Sequence, residues 1–183
     1  MSRLYDISRP LVAGAWVWPG DTPFDCSLAW KISEGSSVNV GRFTMSSHCG
    51  THIDAPFHFS DDAPTSELIP LDSCIGPCEV ITLDRLTSAT AERVLVKAGG
   101  RAPDVATLDR IPILKLFGTD WHSVDPMDSK TLDAHHHLWK RGAVILEELD
   151  LSEVPEGHYE LFALPLKLVG MDAAPVRAVL RAH

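Results

Sequence analysis

His48-Cys-Gly-Thr-His52-Ile-Asp54-Ala-Pro-Phe-His58-Phe59 puts three imidazoles and a carboxylate into one short run. Buried polar groups cost stability unless they are paired, so a set this dense implies a use. Neutral imidazole and carboxylate are ligands that borderline and hard divalent metals share. Three such side chains suffice for a catalytic metal, whose next position stays open to water. His52 and Asp54 stand two apart, so an extended backbone points both to one side. Gly50 accepts backbone angles that other residues avoid, which lets His48 fold back toward them. His48, His52 and Asp54 are therefore a candidate ligand trio. His58 follows Pro56 in irregular backbone and reads either as a fourth ligand or as an acid/base beside the metal.

Outward from this run the chain alternates strands and helices. Residues 38–45 read as a strand entering the cluster, and Pro56 keeps Ala55 out of any helix. Short extended segments are expected at 4–7 and 27–32, with Pro/Gly punctuation around Trp16-Val-Trp18-Pro-Gly-Asp21 between them. Residues 78–83 form a strand, 89–98 a helix stopped by Gly99-Gly100, and 115–117 a short strand. Residues 129–140 give a helix with Asp128 or Ser129 as N-cap and Leu132, His135 and Trp139 on one face. Buried strands at 143–146 and 159–166 and a C-terminal helix over 173–182 complete the expectation. The fold class is α/β, one domain over 1–183, with the strand-rich half holding the histidines.

A second polar group lies downstream. His135 faces inward on its helix, while His136 and His137 face solvent or the core edge. Glu147 and Glu148 end an apolar strand and point to opposite faces, and periodicity does not choose between them as the buried carboxylate. Trp16, Trp121 and Trp139 are expected in the core, whereas Trp18, beside Pro19-Gly20, is a candidate for stacking on a flat substrate. Asp120, His122 and Asp125 read as solvated loop residues.

The whole composition narrows the partners. Acidic residues outnumber basic ones by 25 to 16, giving a net charge of −9 with no Lys/Arg run, which argues against nucleic acid and anionic membrane surfaces. No apolar stretch approaches a membrane span, and the first residues lack a signal-peptide pattern, so cytoplasmic residence is expected. Cys26, Cys49, Cys74 and Cys78 form no CxxC pair and read as incidental or buried thiols.

The pattern His-x-Gly-Thr-His-x-Asp-x-Pro-x-His-Phe, here His48 to Phe59, resembles the signature of the cyclase-like metal-dependent hydrolases. Flanking segments are similar to the bacterial kynurenine formamidase branch. They are Trp18-Pro-Gly-Asp21, Gly118-Thr-Asp120, Ser123-Val-Asp125-Pro, Leu132-Asp-Ala-His135, and the stretch from Leu164 to Arg177.

The resemblance implies a swivelling β/β/α domain with a barrel-like, strand-rich core and flanking helices. It implies a homodimer with the active site near the subunit interface. His48, His52 and Asp54 would bind one zinc. Asp54 would bridge to a second zinc held by His135 and Glu147, which selects Glu147 over Glu148. His58 would carry the proton and Trp18 would contact the substrate. The activity implied is hydrolysis of the aryl formamide N-formyl-L-kynurenine to L-kynurenine and formate, in tryptophan catabolism. Relatives that open isatin, often with manganese, are the rival. A non-catalytic metal protein with a closed coordination sphere is a second. Against the family, a strand and helical segment is missing between Ile113 and Lys115, through either a shorter chain or a segment outside the sequence given.

Overall fold

A computed structural model describes residues 2–183. The strands are β1 (Leu4–Asp6), β2 (Asp25–Trp30), β3 (Val40–Thr44), β4 (His52–Asp54), β5 (Ile75–Thr82), β6 (Arg93–Lys97), β7 (Leu116–Thr119), β8 (Val144–Glu147), β9 (Gly157–Phe162), β10 (Ala173–Pro175) and β11 (Val179–Arg181). The helices are α1 (Val105–Asp109) and α2 (Asp133–Lys140), with short 3-10 turns between elements.

Among the described residues nine strands join one mixed sheet in the order β1-β11-β9-β5-β6-β7-β8-β4-β10. Its centre, β5 to β8, is parallel, and its flanks are antiparallel. The sheet curls strongly into a half-barrel with few helices, as the cyclase-like resemblance implied. Side-chain alternation sorts the central strands between two cores. Val80, Leu95, Leu116, Val144 and Leu146 point to one core, while Ile81, Val94, Val96, Phe117 and Ile145 point to the other. Leu108 of α1 and Leu138 of α2 cover the second face.

Gly118 marks how tightly the first core is filled. A Cβ there would lie 2.4 Å from Leu95 Cδ2 and 3.0 Å from Leu149 Cδ1. Gly118→Ala is therefore expected to destabilise the fold by about 1–3 kcal/mol through overpacking. A chemical-denaturation midpoint equal to wild type would refute this.

Four sequence expectations need correction. Residues 89–98 are not a helix, because Arg93–Lys97 is β6, hydrogen-bonded between β5 and β7. A central parallel strand is buried on both faces, so its apolar residues run without alternation and mimic a buried helix. Residues 173–182 are not a helix either. Ala173–Pro175 pairs with β4, and Val179–Arg181 sits between β1 and β9. Pro175 is tolerated because β10 is an edge strand.

Helix α2, finally, starts at Asp133 and not at Ser129. Neither Asp128 nor Ser129 caps it. The Asp125 carboxylate accepts the Ala134 and His135 N–H groups at 2.9 and 3.0 Å instead, which satisfies the first turn from a neighbouring loop. Its buried face is Ala134, His135 and Leu138, with Trp139 outside. Strand β9 also ends at Phe162, short of the expected 166.

The crossover from β6 to β7 closes through α1 and the residues after it. Ile111 and Leu114 are buried, and the Lys115 N–H reaches the Glu92 carbonyl at 2.6 Å. Between Ile111 and Leu114, Ile113 is exposed, so the connection runs along the surface and dips into the core at those two residues. Strands β2 and β3 form a separate hairpin in which every residue is exposed, including Leu28, Trp30 and Phe43.

Candidate metal centre

The site is built on β4. Ile53 is fully buried in the first core, so its neighbours His52 and Asp54 emerge on the other face. There the register sets His52 opposite Glu147 and Asp54 opposite Ile145. Helix α2 covers the same face and lowers His135 onto it. Gly50, at φ +70°, makes the turn that brings His48 back; a side chain there would also meet Leu11 Cδ2 at 2.7 Å.

Each imidazole is oriented by its far nitrogen. His52 Nδ1 lies 2.8 Å from the Gly50 carbonyl, so the ring donates there and turns the Nε2 lone pair inward. His135 Nδ1 donates to Asp125 Oδ2 at 2.6 Å and turns Nε2 inward. His48 Nε2 donates to Asp172 Oδ2 at 3.0 Å and turns Nδ1 inward. Such partners fix ring orientation and raise the basicity of a metal-ligating histidine.

The inward atoms converge on carboxylate oxygens. His48 Nδ1 and His52 Nε2 lie 3.0 and 3.2 Å from Asp54 Oδ1. His135 Nε2 lies 3.3 Å from Asp54 Oδ2 and 3.6 Å from Glu147 Oε1. Glu147 Oε2 is 3.7 Å from His52 Nε2, and Oε1 accepts the Val124 N–H at 2.7 Å.

Imidazole nitrogens and carboxylate oxygens thus crowd one buried spot, and among the described residues the buried atoms His52 Nε2 and Asp54 Oδ1 have no hydrogen-bond partner. Acceptors placed this way are stable only with positive charge between them. The donor set fits a pair of divalent cations. His48, His52 and Asp54 lie close enough to share one ion, and Asp54, His135 and Glu147 a second.

The titration behaviour has the same cause. Burial works against a charged His48, but hydrogen bonds to Asp172 and Asp54 overcome it and raise its pKa to about 10. Burial likewise opposes a charged His135, and its bonds to Asp125 and Asp54 raise it to about 10. Burial and the nearby Asp54 charge push Glu147 up to about 7. Burial lowers the pKa of His58. Metal loading must displace protons from these rings, and a higher pH removes the competing protons. Divalent-cation affinity is expected to strengthen from about pH 6 to about pH 8, with proton release. Calorimetry in buffers of different ionisation enthalpy measures this, and a pH-independent affinity would contradict it.

A chamber of about 310 Å³ opens above the centre, lined by His48, His52, His135 and Glu147 below and by His58 and Trp18 at its sides. His58 has 33% of its side chain exposed, and its ring lies 4.2 Å from that of His48 and 6.0 Å from that of His135. Its Nδ1 is 3.6 Å from Asp172 Oδ2. All seven residues singled out in the sequence therefore meet in one place: His48, His52, Asp54, His135, Glu147, His58 and Trp18.

Other readings change. Asp125 and His122 are not solvated loop residues. Asp125 is buried against His135, and His122 bonds to Glu148 and stacks on Trp16. Asp120, half-buried, accepts the Ala98 N–H at 2.7 Å. Trp16 and Trp139 are not core residues, as each is 37% exposed, and Trp16 lines the chamber. Asp125 and Asp172 are the polar partners that ligand spacing in the sequence did not single out.

A curled mixed sheet carrying an imidazole–carboxylate centre of this kind defines a metal-dependent hydrolase architecture. The Cyclase family model matches residues 5–144, and the chain belongs to that family. It is 44% identical to the kynurenine formamidase of Erythrobacter litoralis (strain HTCC2594), over 98% of this chain and 94% of that protein. Among solved structures, a potential metal-dependent hydrolase with cyclase activity superposes with a TM-score of 0.84 at 28% identity, covering 100% of this chain and 99% of that one. Isatin hydrolase A from Labrenzia aggregata superposes with a TM-score of 0.80 at 22% identity, over 99% and 94% of the two chains, a likeness of fold.

Proposed function

We propose that this chain is an arylformamidase that hydrolyses N-formyl-L-kynurenine to L-kynurenine and formate, a step of tryptophan catabolism. The observation that carries the reading is the convergence of His48, His52, Asp54, His135 and Glu147, acceptor to acceptor, beneath a chamber walled by Trp18. The identity to a kynurenine formamidase over nearly the whole chain supports it.

Two divalent cations, zinc with manganese as the alternative, would be held by these five residues and would supply Lewis-acid polarisation of the formyl carbonyl and a water acidified toward neutral pH. Asp54 offers one oxygen to each half of the centre. Asp172 orients His48 and lies 3.6 Å from His58 Nδ1. His58 stands at the chamber wall, outside the two groups that share Asp54 though close to His48 and Asp172, and delivers a proton to the departing aniline nitrogen. That proton makes a poor leaving group adequate as the C–N bond breaks. Trp18 gives the aryl ring a flat apolar surface.

The working unit is proposed as a homodimer. The exposed Leu28, Trp30 and Phe43 of the β2–β3 hairpin form an apolar face of the sort that a second copy covers. Residues 1–183 are proposed as one catalytic domain, with the family's additional segment dispensable to the site. The four free cysteines suit a reducing compartment, and the cytoplasm is the proposed location. Among the described residues no helix is long and apolar enough to cross a membrane.

The test is hydrolysis of N-formyl-L-kynurenine by purified, zinc-loaded protein, with isatin as competitor and metal quantified. A higher kcat/KM on the formamide is expected. Preference for isatin would replace this reading with the isatin hydrolase one, and inactivity with full metal loading would leave a binding protein.

A further inference from the structure

The chamber has a second polar wall that the chemistry above leaves unused. Glu148 follows β8 with φ of 58°, a left-handed conformation uncommon for such a side chain. Its carboxylate, 2% exposed, lies 2.8 Å from Arg9 Nε and bonds to His122 Nδ1. Its carbonyl accepts the Thr51 hydroxyl at 2.6 Å. The His122 ring stacks on Trp16 with centroids 3.7 Å apart and planes 20° apart. Trp16 in turn meets Trp18 edge-on at 6.0 Å. Ion pair, backbone turn and stack therefore hold His122 in one orientation at the chamber wall.

With Nδ1 donating to Glu148, the Nε2 of a neutral ring is an acceptor, and it has no partner among the described residues. Asp21 lines the same chamber and uses one carboxylate oxygen on the Thr22 N–H, which leaves the other for a ligand. This wall offers acceptors, and the lining includes no lysine or arginine among the described residues. Its chemistry selects a cation over an anion. Resting on the formamidase reading, we propose that His122, held by Glu148 and Trp16, binds the α-ammonium group of the substrate together with Asp21. The metal-facing wall thus handles the formyl group, and this wall recognises the amino-acid end.

Tryptophan-fluorescence titrations test the assignment without turnover. The ligands are L-kynurenine, its decarboxylated analogue kynuramine, which keeps the ammonium, and 2-aminoacetophenone, which has neither charge. His122→Phe retains a flat ring against Trp16 and removes the acceptor. It is expected to weaken L-kynurenine and kynuramine by about 10-fold or more, and 2-aminoacetophenone by less than about threefold. In turnover, KM for N-formyl-L-kynurenine should rise more than kcat falls. Glu148→Gln, which keeps an acceptor for Nδ1, should stay within about threefold of wild type, and Glu148→Ala should behave like His122→Phe.

Equal weakening of all three ligands would overturn the proposal, and so would kynuramine binding that survives His122→Phe. Wild-type protein that binds L-kynurenine yet leaves its N-formyl derivative intact would sink the formamidase reading alone.

Discussion

Asp54→Ala is expected to empty both halves of the metal centre together, and activity with them. The carboxylate sits between three imidazoles, with Oδ1 facing His48 and His52 and Oδ2 facing His135. Removing it takes one ligand from each proposed ion at once. It also takes away the negative charge that offsets two cations in a buried site. Loss of an outer partner such as Asp125 or Asp172 is expected to weaken metal binding by about 10–100-fold, and loss of the shared ligand by more. Elemental analysis after dialysis reads the outcome directly. Retention of one equivalent of metal by Asp54→Ala would show that the two positions do not share this carboxylate.

The second large effect separates chemistry from metal binding. His58→Ala is expected to lower kcat by about 10²–10⁴-fold while metal content stays near wild type. The side chain lies at the chamber wall, a third exposed, and among the described residues its only ion-pair contact is with Asp172 at 3.6 Å. It is not among the residues that converge on Asp54. Folding and loading should therefore survive its removal, and only the protonation of the leaving nitrogen should suffer. Metal lost in parallel with activity would identify His58 as a ligand.

The curled, strand-rich architecture was legible through the resemblance, but several of its elements were not. His52 and Asp54 obey the two-residue period of a strand, and the Gly50 turn is written in the residue type, so half of the centre was readable locally. Glu147 against Glu148 was not, since both proved buried and only the β4–β8 register aims Glu147 inward. Strand β6 was misread because burial on both faces erases the alternation that marks a strand. Residues 173–182 were misread because their pairing partners, β1, β4 and β9, lie far off in sequence. Asp125 carries no local mark of its task. Its value comes from satisfying the start of α2 and the His135 ring with one carboxylate, a relation visible only in three dimensions.

The placement of β4 also sets a timetable. The strand bearing His52 and Asp54 is made well before its neighbours in the sheet, β8 and β10. Asp172, which orients His48, arrives just ahead of β10. Until those strands are made, His52 and Asp54 have no sheet to hold them and no Glu147 to face. Assembly of the proposed centre therefore waits on β8 and β10. A product cut short before β8 would lack Glu147, and one cut short before β10 would leave β4 without its second neighbour in the sheet.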